Sequence, residues 1–465
     1  MTTTTIASGA PRDTAAGISL YRAVWRWHFY AGLYVVPFLL MLAITGLVMM
    51  IYADRSNELG FVGDVAVTGT AKPISEQAAA ALATVPGGTL ATYIAPEAAN
   101  RPAFYEIQQG DSTLAVAVDP YSGAVLAEND ESKTVRAIAE KIHGTLLIGT
   151  IGDRLIEVAA SLTIVLIATG LFLWWPRGTT SLGRALLPNW SLKGRAFWKD
   201  IHKSVGLWIS AFLFLFMLSG LAWTGVWGDS YVKPWSAFPA SKWDNVPLSD
   251  ATHASMNHAT HEVPWALEAT PMPASGSAAG AAGVARPVTL DSVSAWAGEH
   301  GFTGQYKLSV PASETGVFTI AYDARNNDSA LPSGDRYVHI DRYSGNVLAD
   351  VGFDEYSLVG KLMAWGISLH KGMAGPINFV FNLVYLALVI LLCVSGAVMW
   401  WKRRPAGSLG APLYHPNFRL TAGVVLIAVV LGAVFPMGGL ALIVFAVIDL
   451  ILPKRLKQAG ARPAA

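Results

Sequence analysis

Residues 29–52 carry no charged side chain. A helix needs about 20 apolar residues to cross the hydrocarbon of a bilayer, and this run is longer. In lipid every backbone amide has to be satisfied within the chain, so an apolar run of this length leaves little choice but a spanning helix. His28 stands at its head. Residues 198–227 repeat the pattern: aligning His28 with His202 brings Gly32-Leu33 onto Gly206-Leu207, and Thr45-Gly46-Leu47 onto Ser219-Gly220-Leu221. The shared string is H-x3-G-L-x11-[ST]-G-L without a gap. Two copies of one histidine-headed helix predict an internally duplicated chain. They also suggest paired ligands for something held between helices.

The rest of the sequence follows the same plan. Residues 1–20 form a Thr/Ala-rich tail expected to be disordered. Repeat one covers residues 21–177: a span at 29–52, a polar segment at 53–141 with strand signals, and a span at 155–175. Repeat two covers residues 178–404, with a span at 205–227, a polar segment at 228–369 and a span at 377–401. The polar segments echo each other in VDPYSGAVLAE (118–128) and IDRYSGNVLAD (340–350), each a turn between two short strands. His143 precedes Trp174 as His370 precedes Trp400, and both later spans close on a Trp-Trp pair. The Pro/Ala/Gly/Ser stretch at 271–287 reads as a flexible linker. Residues 405–465 end the chain in a hairpin of two short apolar arms. The expected fold is an α-helical integral membrane protein with internal duplication: four core spans, a C-terminal helical hairpin and two α+β outer domains.

Mean hydropathy of +0.41, with 14% charged residues, agrees with a membrane protein carrying polar segments. A net charge of +1 gives no case for nucleic acid. The single cysteine, Cys393, excludes an intrachain disulfide and a cysteine-held iron–sulfur cluster. No signal peptide is evident, and the first apolar run reads as an uncleaved helix. Basic residues crowd Arg22/Arg26, the loop at 177–203, Lys402–Arg404 and Lys454/Arg455. The positive-inside rule puts these, and both termini, on the cytoplasmic side and both polar segments outside.

Four of the ten histidines hold repeat-matched positions. With the orientation fixed, His28 and His202 lie at the cytoplasmic ends of their spans, and His143 and His370 at the outward ends of theirs. Two bis-histidine haem b groups need two same-side pairs of this kind, since neutral imidazole is a strong iron ligand and the ring needs one above and one below. The offset between the sites would be on the order of 20 Å in a core of ~30 Å. Gly32 and Gly206, one turn from their histidines, would let a flat macrocycle approach the helix. The other reading makes each histidine an interface anchor or helix cap, and the Trp pairs an aromatic belt. Arg154 could hold a haem propionate or mark the interface with Asp153 and Glu157. His253, His258 and His261, with Met256, form a second candidate set, for copper, zinc or iron. No G-x-G-x-x-G follows a strand and no P-loop is present, so an electron donor would be quinol or a separate cytoplasmic reductase.

The chain resembles the PepSY-associated transmembrane helix family. The resemblance rests on WRWHFYAGL, on KIHGTLLIGTIGDRLIEVAASLTIVLIATGLFLWWPR, on FWKDIHKSVGLW, on the span ending SGAVMWWKRRP and on the DPYSG and DRYSG turns. It implies PepSY-like outer domains, and haem bound at His28, His202, His143 and His370. Members include siderophore reductases and iron-uptake-associated inner-membrane proteins, so it also implies reduction of a ferric siderophore in the periplasm with release of Fe(II). Two readings from other classes stay open: a non-redox envelope regulator or sensor, and a metal transporter or metallochaperone using the His253–His261 set.

Overall fold

A computed structural model describes residues 15–53, 59, 61, 63–176, 182–236, 245–257, 263, 265–324, 331–405, 410 and 429–451. Much of the first arm of the expected C-terminal hairpin lies outside these residues, as do His258 and His261. Four helices are long and apolar enough to cross a membrane: α1 (Ala15–Ile51), α4 (Thr150–Trp174), α5 (Gly194–Leu221) and α8 (Pro376–Arg403). The other helices of ten or more residues are α2 (Ile74–Thr84), α3 (Val135–Thr145), α6 (Leu290–Glu299), α7 (Leu358–Lys371) and α9 (Pro436–Ile451). The chain divides into two units. One holds residues 1–43, 148–227 and 385–465, and the other residues 44–147 and 228–384.

The first unit is helical. Most of its buried side chains, among them Val35, Leu162, Ile209, Leu213 and Leu221, are apolar, while much of the remaining helix surface exposes Leu, Phe and Trp. An apolar exterior is what a bilayer solvates. One polar knot interrupts it. The Glu157 carboxylate is fully buried and accepts the amides of Val226 and Trp227, at 3.1 Å each. Asp153 accepts the amide of Gly225 at 3.2 Å, and the Arg154 guanidinium pairs with both carboxylates. These carboxylates satisfy the amides of Gly225, Val226 and Trp227, which follow the end of α5 at Leu221, although the apolar run continues to residue 227. A Cβ on Gly225 would run into the Arg154 guanidinium, so a side chain there would have to push it off its two carboxylates.

The second unit is built on one sheet. Strands β1 (Thr89–Ile94), β2 (Ala103–Gln109), β3 (Ser112–Val118) and β4 (Val125–Asp130) come from the first polar segment. The second supplies a small hairpin, β5 (Leu248–Thr252) with β6 (Pro271–Pro273), and then β7 (Lys307–Ser309), β8 (Val317–Tyr322), β9 (Arg336–Asp341) and β10 (Val347–Gly352). The eight long-sheet strands run in the order β10-β9-β8-β7-β1-β2-β3-β4. The two segments, expected as two domains, thus give four strands each to a single antiparallel sheet, joined where β1 pairs with β7. On one face Tyr93, Leu308, Ile320 and Val338 pack against Ala78 and Ala81 of α2 and Val293 and Trp296 of α6. The other face carries two smaller apolar clusters, one around Phe104 and Ala117, the other around Tyr337, Val351 and Leu267.

The two echoed turns fold alike. Asp119 and Asp341 each accept the amide two residues on, from Tyr121 and Tyr343, and Gly123 and Gly345 each sit at φ 76°. A short carboxylate and a left-handed glycine are what such a turn requires. The stretch at 271–287, expected to be a flexible linker, is instead built in. Ala281 exchanges amide bonds with Val347 on β10, and Val284 donates to the Gly345 carbonyl. Small residues permit this: a Cβ on Gly280 would lie 2.4 Å from the Val347 carbonyl oxygen. The stretch covers the outer edge of β10, which an uncovered sheet would leave open to pairing.

Candidate functional site

His28 lies on α1 and His202 on α5. Their ring centroids are 6.5 Å apart and their planes cross at 86°. Each imidazole is held from behind by a hydroxyl on another helix. His28 Nδ1 meets Thr169 Oγ1 on α4 at 2.9 Å, and His202 Nδ1 meets Ser395 Oγ on α8 at 2.9 Å, with the Leu392 carbonyl at 3.2 Å. Both hydroxyls spend their own proton inside their helix: Thr169 donates to the Val165 carbonyl at 2.7 Å, and Ser395 to the Leu392 carbonyl at 2.8 Å. Such back-bonding is the usual habit of Ser and Thr in a helix. The hydroxyl oxygens can therefore only accept, so Nδ1 must carry the hydrogen. That assigns the tautomer of both rings and leaves the lone pair on Nε2, the arrangement a metal-binding histidine needs.

Glycines make the room. A Cβ on Gly170 would sit 3.2 Å from His28 Cε1, and one on Gly396 would sit 3.5 Å from His202 Cε1. Each glycine follows its hydroxyl residue directly, as Thr169-Gly170 and Ser395-Gly396. Sequence reasoning missed these four residues, although the signal was present: T-G-x3-W-W and S-G-x3-W-W close the two later spans. Gly32 and Gly206 face side chains of neighbouring helices. A Cβ there would meet Leu166 at 4.0 Å and Leu392 at 3.4 Å, which is helix-packing distance.

His143 and His370 both belong to the second unit. His143 Nδ1 meets Thr45 Oγ1 at 2.8 Å. His370 ends α7, where Asn382 donates to the carbonyls of Leu369 at 2.8 Å and His370 at 3.2 Å, satisfying groups that a helix C-terminus leaves open. Removal from water, then the His143 imidazole, then the Lys371 ammonium, push His370 down to about 3. An imidazole held that low is neutral near pH 7.

A haem, if bound here, would be held by His28 and His202 through their Nε2 lone pairs and would supply a one-electron couple. The assigned tautomers and the glycine cut-outs agree with that.

The other candidate set is arranged differently. His253 is fully buried, and both of its nitrogens are engaged: Nδ1 with the Thr270 carbonyl at 2.8 Å, Nε2 with His339 Nε2 at 2.9 Å. Met256 packs on the apolar cluster around Tyr356. Among the described residues no three His, Cys, Asp or Glu side chains are grouped to hold a metal ion.

No curated protein matches the chain. The family described as the PepSY-associated TM region matches residues 25–403, a stretch that contains all four of these helices' histidine and hydroxyl residues. The chain is a membrane protein with several apolar helices, and it belongs to the PepSY-associated TM region family.

Proposed function

We propose that the protein is a haem-containing electron-transfer protein of the bacterial inner membrane, one that reduces Fe(III)-siderophore on the periplasmic side and so releases Fe(II). The observation that carries this reading is the His28–His202 pair, with centroids 6.5 Å apart and both Nδ1 atoms tied to hydroxyls. Bound haem would supply a one-electron couple whose potential is set by its axial ligands and its burial. The chain's own part is to present neutral imidazoles at fixed angles. Thr169 and Ser395 hold the tautomer, Gly170 and Gly396 clear the space, and apolar helix surface keeps water away. His143 and His370, the repeat-matched second pair, would hold a second haem. Siderophores hold Fe(III), a hard ion, far more tightly than Fe(II), so one electron loosens the metal without breaking the chelator. The chain shows no nucleotide motif, which makes quinol or a cytoplasmic reductase the donor. Cytoplasmic termini follow from the basic short loops.

The metallochaperone reading is disfavoured by His253, whose two nitrogens are already bonded. The test is the absorption spectrum of protein purified from haem-replete cells. A Soret band is expected, together with reduction of a ferric siderophore when the protein is supplied with electrons, and His202→Ala should lower both together. Protein that folds, binds no haem and leaves ferric siderophore unreduced would end this reading.

A further inference from the structure

A row of polar side chains crosses the middle of the sheet. Strand register sets Glu106 opposite Thr92, Thr92 opposite Ser309, Ser309 opposite Thr319 and Thr319 opposite His339. Directly opposed residues share a face, so these five lie in line on five adjacent strands. Ala115 and Ala349, one from each apolar cluster of that face, flank the row at its two ends. Buried sheet faces are apolar unless something requires otherwise. Thr92 and Thr319 are each 1% exposed, and Glu106 and His339 are fully buried.

A cavity of about 580 Å³ opens over Thr92, Ser309 and Thr319, within the range of roughly 300–1,000 Å³ typical of small-molecule sites. The β5–β6 hairpin and Ser255-Met256 form its opposite wall. The hydroxyls of Thr92, Ser255, Ser309 and Thr315 have no protein partner among the described residues. Among the described residues Asp250, exposed at the rim, is the one charged side chain on the wall. An anion taken into this cavity would lose water and meet only the Asp250 carboxylate, and a cation would gain just that one solvent-screened charge, so neither is favoured. Hydroxyls both donate and accept, and they suit a neutral solute rich in oxygen.

We propose that this cleft binds an electroneutral, oxygen-rich small molecule through the Thr92–Ser309–Thr319 row. On the reductase reading, on which this last step rests, that molecule is a ferric chelate of zero net charge.

The experiment is calorimetric titration of the full-length protein in detergent with two gallium complexes, which cannot be reduced as iron can. Tris(maltolato)gallium(III) is neutral; tris(catecholato)gallate(III) carries three negative charges. Saturable binding of the neutral complex is expected, with the trianion at least about tenfold weaker. Ser309→Leu fills the cavity, and Ser255→Trp blocks its mouth from an exposed position without disturbing the core. Each should cost the neutral complex about tenfold or more. Asp250→Lys should strengthen trianion binding and leave the neutral complex within about twofold. No saturable binding of the neutral complex, undiminished binding in folded Ser255→Trp, or preference for the trianion overturns the assignment. Because gallium reports binding alone, a cleft that binds it in a protein without haem leaves this site standing and sinks only the reductase reading. A haem-loaded reductase whose cleft stays empty does the reverse.

Discussion

Thr169 and Ser395 set which nitrogen of His28 and His202 carries the lone pair, and their removal is therefore informative. Thr169→Val keeps the shape and removes the acceptor, and Ser395→Ala does the same for His202. Loss of such an orienting partner lowers metal affinity by about 10–100-fold. Haem content after dialysis against apomyoglobin should fall in both variants and recover in Thr169→Ser and Ser395→Thr. Unchanged retention would mean that the hydroxyls are only packing. The histidines themselves were legible in the sequence because they recur at matched positions. Their partners were not, since the His28–Thr169 bond joins residues 141 apart and no local pattern links them. His253 and His339 hid for a related reason: strand register, not spacing, brings them together. Their hydrogens run one way, from Thr319 Oγ1 to His339 Nδ1, from His339 Nε2 to His253 Nε2, and from His253 Nδ1 to the Thr270 carbonyl. Burial holds His253 down to about 4; burial and then the His253 imidazole hold His339 well below its ordinary value. An added proton would set two N–H groups face to face. Both folded values lie below the unfolded 6.5, so the unfolded chain binds more protons in acid. The domain's full stability is present above about pH 6.5 and is lost as pH falls toward 4, by about 2 kcal/mol at pH 5 for the first proton. Hydrogen exchange of β9 in the intact protein, corrected for intrinsic rates, should accelerate between pH 7 and pH 5. The same acceleration in a folded His253→Gln/His339→Gln variant would refute the link.

At the scale of elements, apolar length placed the four spans and erred at their ends. The first run begins at residue 29, yet α1 begins at Ala15, because hydropathy marks the membrane and not the helix. Residues 222–227 extend the run but are not part of α5: the amides of 222–224 bond three residues back, to the carbonyls of 219–221, and Asp153 and Glu157 take those of Gly225, Val226 and Trp227. A carboxylate's reach across 70 positions leaves no periodic trace. The 271–287 stretch misled in the opposite sense. Its small residues signal flexibility in isolation, but against β10 they permit close backbone approach. One junction carries strain. After α3, Leu146 and Leu147 adopt φ of 52° and 62°. A left-handed residue with a Cβ costs roughly 1–2 kcal/mol, and Leu146 occupies the position where helices favour glycine. Leu146→Gly should therefore stabilise the fold by about 1 kcal/mol, part of the gain being offset by the freer unfolded chain. A thermal melt in detergent should shift upward by a degree or two. A downward shift would show that the Leu146 side chain contributes more in contacts than its backbone loses in strain.

At the scale of the whole molecule, each histidine pair takes one member from each half of the chain: His28 with His202, His143 with His370. Neither half alone can complete either pair. That makes haem stoichiometry the sharpest test of the proposed function, because it separates one centre from two. If both pairs hold haem, the pyridine haemochrome ratio should be about two per chain. His28→Ala and His202→Ala should each bring it to about one, and their double variant should remain at one, since both belong to the same site. Combining either with His370→Ala should bring it to zero. The spectra should sort likewise, each single variant losing one of two components with distinct midpoint potentials, as different surroundings set different potentials. A ratio of one in the native protein, abolished by His202→Ala and untouched by His370→Ala, would leave one haem and make the His143–His370 pair structural. That outcome would also cut the proposed electron route, because a single centre at one end of the spans leaves the rest of the bilayer uncrossed.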